Sequence, residues 1–230
     1  MLVELINITK YYETPGTSIR NMVLDDVSLS IGDHETISVI GPSGSGKSTL
    51  LNILGTLDQP SSGKVMMNGV DLTLMNEKGI ANLRNQIIGH VFQLHYLLPQ
   101  LTLLENVLLP TLAASDKPNR MKTLDWASTL ITRVGLWDHR SHFPHQMSVG
   151  ECQRGAVVRA LINEPKILLC DEPTGSLDAI NAEMVGDLLL ELNRELGIAL
   201  VIVTHSVELS LKMAYRYQLT SGRITRIQGG

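Results

Sequence analysis

No stretch of this sequence stays apolar long enough to cross a membrane. The longest runs, residues 198–203 and 167–170, are strand-sized, whereas a spanning helix needs about 20 apolar residues. The opening MLVELIN has no charged region followed by a long apolar stretch, so no secretory leader is expected. Cysteine is scarce. Cys152 and Cys170 cannot make a disulfide framework; they fit a reducing compartment and small buried positions. Basic residues are not in excess: 19 Lys and Arg against 23 Asp and Glu give a net charge of −4, with no basic stripe. Nucleic acid is therefore not expected as the main partner. Internal repeats, low-complexity tracts and Pro/Ser-rich linkers are also missing. What is present is ordinary globular composition, and the 230 residues suit one large domain or one domain with two lobes.

Apolar alternation at Val27, Leu29 and Ile31 marks an early strand. Residues 35–40 form a buried strand, then a Gly-rich turn, then a helix over about 47–55. PSSG at 60–63 and Asn68-Gly69 are turn signals around a short strand, which implies a hairpin. From about 94 to 163 the pattern is mostly helical, with helices expected at 103–113, 121–134 and 148–163. Strand–helix alternation then returns: strand 166–170, helix 179–196, strand 198–204, helix 207–213. Such alternation implies a mostly parallel sheet flanked by helices. The expected fold is α/β, a single domain over 1–230. Residues 1–93 and 165–230 form its core, and residues 94–164 form an inserted helical lobe.

Two motifs carry the chemistry. Residues 41–48, GPSGSGKS, match G-x-x-x-x-G-K-[ST]. Glycines let successive backbone N–H groups face a phosphate, and the following helix directs its positive end at the same anion. Gly41, Pro42, Ser43, Gly44, Ser45, Gly46, Lys47, Ser48 and Thr49 are the candidate ATP-binding residues. Lys47 would reach the β- and γ-phosphates, and Ser48 would ligate Mg²⁺. The second motif is an apolar strand that ends in Asp171 and Glu172. The C-terminal end of a central strand is where α/β sheets place ligands. Asp171 is then placed to hold Mg²⁺. Strand alternation sends Glu172 to the other side, where it is the natural base for a water attacking the γ-phosphate.

These motifs alone define a P-loop ATPase. The segment SVGECQR at 148–154 resembles the ABC signature, LSGGQ or LSGGE followed by Gln-Arg. Gln93 resembles the Q-loop glutamine, SLD at 176–178 the D-loop, and His205 the switch histidine. Tyr12 fits the aromatic that stacks on adenine, with Tyr11 as a rival. The order and spacing resemble the ATP-binding subunits of ABC transporters over essentially the whole chain. The segments FQLHYLLPQLT (92–102), LLENVLLP (103–110), GTLDQPSSG (55–63) and DEPTGSLD (171–178) narrow the resemblance to the LolD/MacB group, with the lipoprotein-releasing members nearest. The resemblance implies an RecA-like core with an N-terminal antiparallel β portion, ATP and Mg²⁺ as cofactors, and Glu172, His205 and Gln93 as catalytic residues. Ser48, Gln93 and Asp171 would serve the metal. It also implies a head-to-tail pair in which Ser148, Val149, Gly150 and Glu151 act across the interface, with Asp178 as the D-loop residue. Integral membrane subunits would lie on separate chains, and this chain would sit at the cytoplasmic face of the inner membrane.

Position 149 departs from the pattern, with Val where the family has Gly. Ser148 and Glu151 form a capping box, so Val149 is the first helical residue and its β-branch costs little there. Its side chain would crowd a partner's nucleotide, so slow ATP hydrolysis is expected. Gly155, inside the same helix, costs about 1 kcal/mol relative to Ala. The competing functions are a nucleotide-gated regulatory module with little turnover and a soluble non-transport ABC ATPase.

Overall fold

The computed structural model describes residues 1–13, 16, 20–113 and 119–227. Its first sheet is built by period-2 alternation. Strands β1 (Val3–Glu13) and β2 (Arg20–Ile31) pair antiparallel, Val3 opposite Ile31 and Leu5 opposite Leu29. Val27, Leu29 and Ile31 point inward while Ser28 and Ser30 face solvent. Strand β4 (Ser62–Met67) joins the other side of β1, and β5 (Val70–Asp71) returns along it. The connecting Asn68 and Gly69 have φ of +49° and +77°. This left-handed pair matches the twist of a two-residue hairpin, so the expected turn is present.

The second sheet has six strands. Strands β3 (Thr36–Ile40), β6 (Ile88–Val91), β7 (Ile167–Asp171), β8 (Ala199–Val203), β9 (Tyr215–Thr220) and β10 (Arg223–Ile227) lie in the order β10-β9-β3-β8-β7-β6. All neighbours are parallel except β10, which runs antiparallel to β9. Burial on both faces explains why β7 up to Cys170 and all of β8 are apolar. Ile167 and Leu169 enter one core with helix α1 (Lys47–Leu54) and the first sheet. Leu168 and Cys170 enter a second core. Alternation therefore carries Asp171, the last residue of β7, to the α1 side.

The second core also takes α3 (Leu103–Leu108), α4 (Arg120–Arg133), α5 (Val149–Leu161) and α6 (Ala179–Leu196). The middle of the chain is thus packed directly beneath the sheet. Arg133 of α4 reinforces this by pairing with Glu191 and Glu195 of α6 at 2.9 and 2.7 Å. Cys152 and Cys170 are both buried and free.

Several boundaries differ from expectation. The helix expected over 103–113 is α-helical only to Leu108 and continues as a 3₁₀ turn, Leu109–Ala113. Pro110 lacks the N–H that α-helix continuation needs. Residues 94–102 form no helix; they fold around buried Asn106, whose side chain bonds Leu98, Leu101 and Thr102 backbone groups at 2.7–3.1 Å. Helix α2 (Glu77–Ile87) was not anticipated, although Asn76 caps it at Gly79 N–H and Ile80, Leu83 and Ile87 share a face. The helix expected over 207–213 is the shorter α7 (Val207–Leu211).

Gly155 has a packing reason. A Cβ there would lie 2.6 Å from Cδ1 of Leu103, which is fully buried. The gain in helix propensity from Gly155→Ala, about 1 kcal/mol, should be outweighed by overpacking of about 1–3 kcal/mol. The expected result is a lower denaturation midpoint. An equal or higher midpoint would show that the α3–α5 contact is looser than drawn.

Candidate functional site

The C-terminal ends of β3, β7 and β8 bring the candidate residues together. Between β3 and α1, Gly44 and Gly46 take φ of +77° and +101°, which any side chain would strain. α1 then starts with no side-chain cap and no acidic residue in its first turn, so its first amides are free for an anion. Lys47 Nζ folds over the same loop and donates to Gly41 O at 2.9 Å and Pro42 O at 3.1 Å. Ser45 Oγ is buried in the loop with no hydrogen-bond partner among the described residues. Such an orphaned polar atom in a concave loop suits a polyanion.

Asp171 lies across from this loop, with the Ser48 hydroxyl near its carboxylate. Burial, followed by the neighbouring Glu172 charge, pushes Asp171 above the usual carboxylate range, against the pull of Ser48 and Lys47. A half-buried carboxylate beside a hydroxyl is a donor set that fits Mg²⁺.

Glu172 does not obey the strand alternation expected for it. It lies one residue beyond β7 with φ of +46°, and its N–H donates to Val203 O at 2.9 Å. The left-handed backbone sets its direction instead. Its carboxylate is held by the ring of His205, Nδ1 to Oε2 at 2.9 Å, and by the His205 N–H at 3.2 Å. The structure therefore joins these two candidates in one pair at the ends of β7 and β8.

Gln93 follows β6 and is exposed, with its Nε2 beside Gly175, next to Glu172 in the same turn. Its carbonyl accepts from Ser176 at 2.9 Å. Buried Gln153 adds a second tie, donating to Phe92 O at 2.8 Å and Pro173 O at 3.1 Å. That crosslink was missed in the sequence, where a glutamine in a helix carries no sign of burial.

Tyr12 stands on the α1 side. Its hydroxyl donates to Asp58 at 2.7 Å, Thr49 lies against it, and Lys10 Nζ is 4.8 Å from the ring centre. Partial burial, then the Asp58 bond, raises the phenol above its ordinary value. Tyr11 turns away to stack under Arg20.

The segment 148–151 is elsewhere. Ser148 caps α5, Glu151 returns the bond at 2.7 Å, and Val149 is exposed. Gly150 is buried. Asp178 caps α6 through Asn181 N–H. No hydrogen bond or ion pair among the described residues links 148–151 to the loop 41–49.

This architecture, with these motifs in this order, agrees with comparison to known families. Residues 24–175 match the model of the family described as ABC transporter.

The chain belongs to the ABC transporter family.

Its structure is similar to the ABC cassette MJ0796, solved as a dimer in a post-hydrolysis state bound to ADP and phosphate: 35% identity, 99% of this chain and 100% of that one, TM-score 0.88. It is also similar to CbiO1 from Clostridium perfringens, part of the ABC transporter complex CbiONQ: 27% identity, 99% and 88% covered, TM-score 0.87. A nucleotide-free ABC cassette at 24% identity, covering 100% and 92% with a TM-score of 0.81, shares the fold. As an ATP-binding cassette, this chain has the mixed second sheet, the P-loop and the antiparallel first sheet of an ABC ATPase.

Proposed function

We propose that this cassette hydrolyses ATP as one of a pair and drives membrane subunits on separate chains, in a lipoprotein-releasing or MacB-like system. One observation carries the pairing. The Ser148–Val149 edge of the signature is exposed at the start of α5 and, among the described residues, the segment makes no hydrogen bond or ion pair with its own phosphate loop, so it is free to cover the nucleotide of a second copy. The dimer of MJ0796 supports this reading.

The roles follow from position. The 41–46 loop and the α1 amides cradle the phosphates, Lys47 neutralises the β- and γ-oxygens, and Tyr12 stacks on the base. Ser48 and Asp171, with Gln93 beyond, would hold Mg²⁺, which when bound neutralises charge on the phosphate oxygens. Glu172 accepts the proton of the attacking water, and His205 steadies Glu172 while facing the γ-phosphate. Ser148 and Gly150 act from the other copy, with Asp178 at the same interface.

Membrane coupling uses the surface around Gln93. A cleft of about 450 Å³ there is lined by Leu57, Ala81, Arg84, Phe92, Pro110 and Arg159, beside exposed Leu94 and Tyr96. It suits a short helix of a membrane subunit. The complex that contains CbiO1 supports subunits on separate chains. No helix among the described residues is long and apolar enough to cross a membrane; the place proposed for the chain is peripheral, at the cytoplasmic face, beside those subunits.

The test traps the ATP-bound pair with Glu172→Gln, extracts it in mild detergent and identifies the integral membrane proteins that follow. A partner with about four spans and a large extracytoplasmic domain supports the reading. An intact ATP-bound dimer with no membrane partner would overturn it in favour of a regulatory module. Val149 bears on rate. Because it is 55% exposed at the signature, Val149→Gly should leave steady-state turnover equal or higher, and a marked drop would mean that the segment works differently.

A further inference from the structure

Asn181, in the first turn of α6, makes no hydrogen bond to the phosphate cradle among the described residues. Two bonds fix its side chain and backbone against Asp178. Its N–H donates to Asp178 Oδ1 at 2.9 Å, and its Nδ2 donates to Asp178 Oδ2 at 2.7 Å. With the amide nitrogen held there, the rest of the group lies against Gly150. A Cβ at Gly150 would stand 2.8 Å from Asn181 Cγ and 3.3 Å from its Cβ, with Oδ1 closer still. Real side-chain carbons do not approach so closely, so position 150 is glycine for a reason inside this chain. The pattern of exposure agrees. Gly150 faces inward onto Asn181, while Ser148 and Val149 face out.

The first turn of α5 is held in two ways. On its own side Glu151 accepts from Ser148 N–H and Oγ at 2.7 and 2.9 Å, with His139 Nε2 at 3.4 Å. These contacts shape the turn, and just beyond it Gln153 ties α5 to the nucleotide-binding core through Phe92 O and Pro173 O. Asn181 adds a second tie at Gly150 itself, from α6, which packs on β8.

We propose that Asn181 is a positioning residue for ATP turnover: it ties Asp178 to Gly150 in one chain, so that the exposed Ser148–Val149 edge meets the other copy in register with Asp178. This rests on the reading that the signature acts on a second copy. The coupling works through packing and needs no contact between Asn181 and nucleotide. Two sites in contact typically couple by 0.5–3 kcal/mol, enough to shift a dimer equilibrium severalfold to a hundredfold.

The test uses the full chain. In the Glu172→Gln background, Asn181→Ala should weaken ATP-dependent dimerisation about tenfold by sedimentation equilibrium. ATP affinity below the dimerisation concentration should stay within about twofold. With Glu172 intact, kcat should fall about tenfold and KM for ATP should hold. Gly150→Ala alone should weaken the dimer, since its methyl displaces Asn181. Combined with Asn181→Ala, that methyl enters the vacated space, and the double variant should dimerise more tightly than Gly150→Ala alone. A loss of fold alone would lower the melting temperature and would not give this rescue.

Unchanged dimerisation and kcat in Asn181→Ala would overturn the proposal, as would a double variant no tighter than Gly150→Ala. If Glu172→Gln with ATP forms no dimer even with Asn181 present, the pairing falls and this proposal falls with it. Failure confined to the Asn181 variants leaves the pairing intact.

Discussion

Glu172→Gln should abolish most ATP turnover while sparing ATP binding. The glutamine keeps the size of the side chain and one acceptor oxygen for the His205 ring or N–H, both of which now meet the carboxylate. It loses the ability to take a proton. General-base contributions of about 10²–10⁴ correspond to about 3–5 kcal/mol of barrier. Steady-state phosphate release should therefore fall at least about a hundredfold. The cradle, Lys47 and Asp171 are untouched, so ATP affinity should change less than about threefold. Slow turnover should also let the ATP-bound pair accumulate, visible as a doubling of mass in light scattering. A drop in turnover below about threefold would place the base elsewhere and leave Glu172 as a tether for His205.

Lys47→Ala should fail one step earlier, at binding. Lys47 Nζ lies over the loop, bonded to Gly41 O and Pro42 O, and it is the cation nearest the orphaned Ser45 hydroxyl in sequence. Charge-assisted hydrogen bonds contribute about 1.5–3 kcal/mol each, so loss of the ammonium should weaken ATP binding about 10–100-fold. Charge on the γ-phosphate grows in the transition state, and turnover should fall further, by about 10²–10³ at saturating ATP. Lys47→Arg should restore little, because a planar fork does not replace a compact ammonium inside the loop. Fluorescent-nucleotide titration beside steady-state kinetics separates the two effects. Binding within about threefold of the parent would show that the backbone amides alone hold the phosphates.

Together the two variants divide the site. One is expected to block chemistry on a bound nucleotide, and the other to block binding. Asp171 stands between them, since it faces the same loop from β7 and lies near the Ser48 hydroxyl.

Local patterns settled much of this protein. The Gly-rich loop, the apolar strand that ends in two carboxylates and the capping box at Ser148 are short-range features. Backbone geometry at Gly46, strand burial at 167–170 and helix initiation at Ser148 follow from neighbours a few residues away. The Asn68-Gly69 hairpin was legible for the same reason, because two left-handed residues admit few side chains. The α/β architecture followed from the strand–helix alternation.

The tertiary structure decided what depends on distant packing. Pro110 converts the end of α3 to a 3₁₀ turn. Glu172 departs from strand alternation because the strand ends at Asp171 and the next residue is left-handed, with φ of +46°. Gly155 looks like a propensity defect until Leu103 is seen against it. Gly150 and Asn181, 31 positions apart in the sequence, meet only because α5 and α6 pack beneath one sheet. Periodicity records which face of an element is apolar; it does not record which residue of another element will press against that face, and contacts of that kind exist only once the chain has folded.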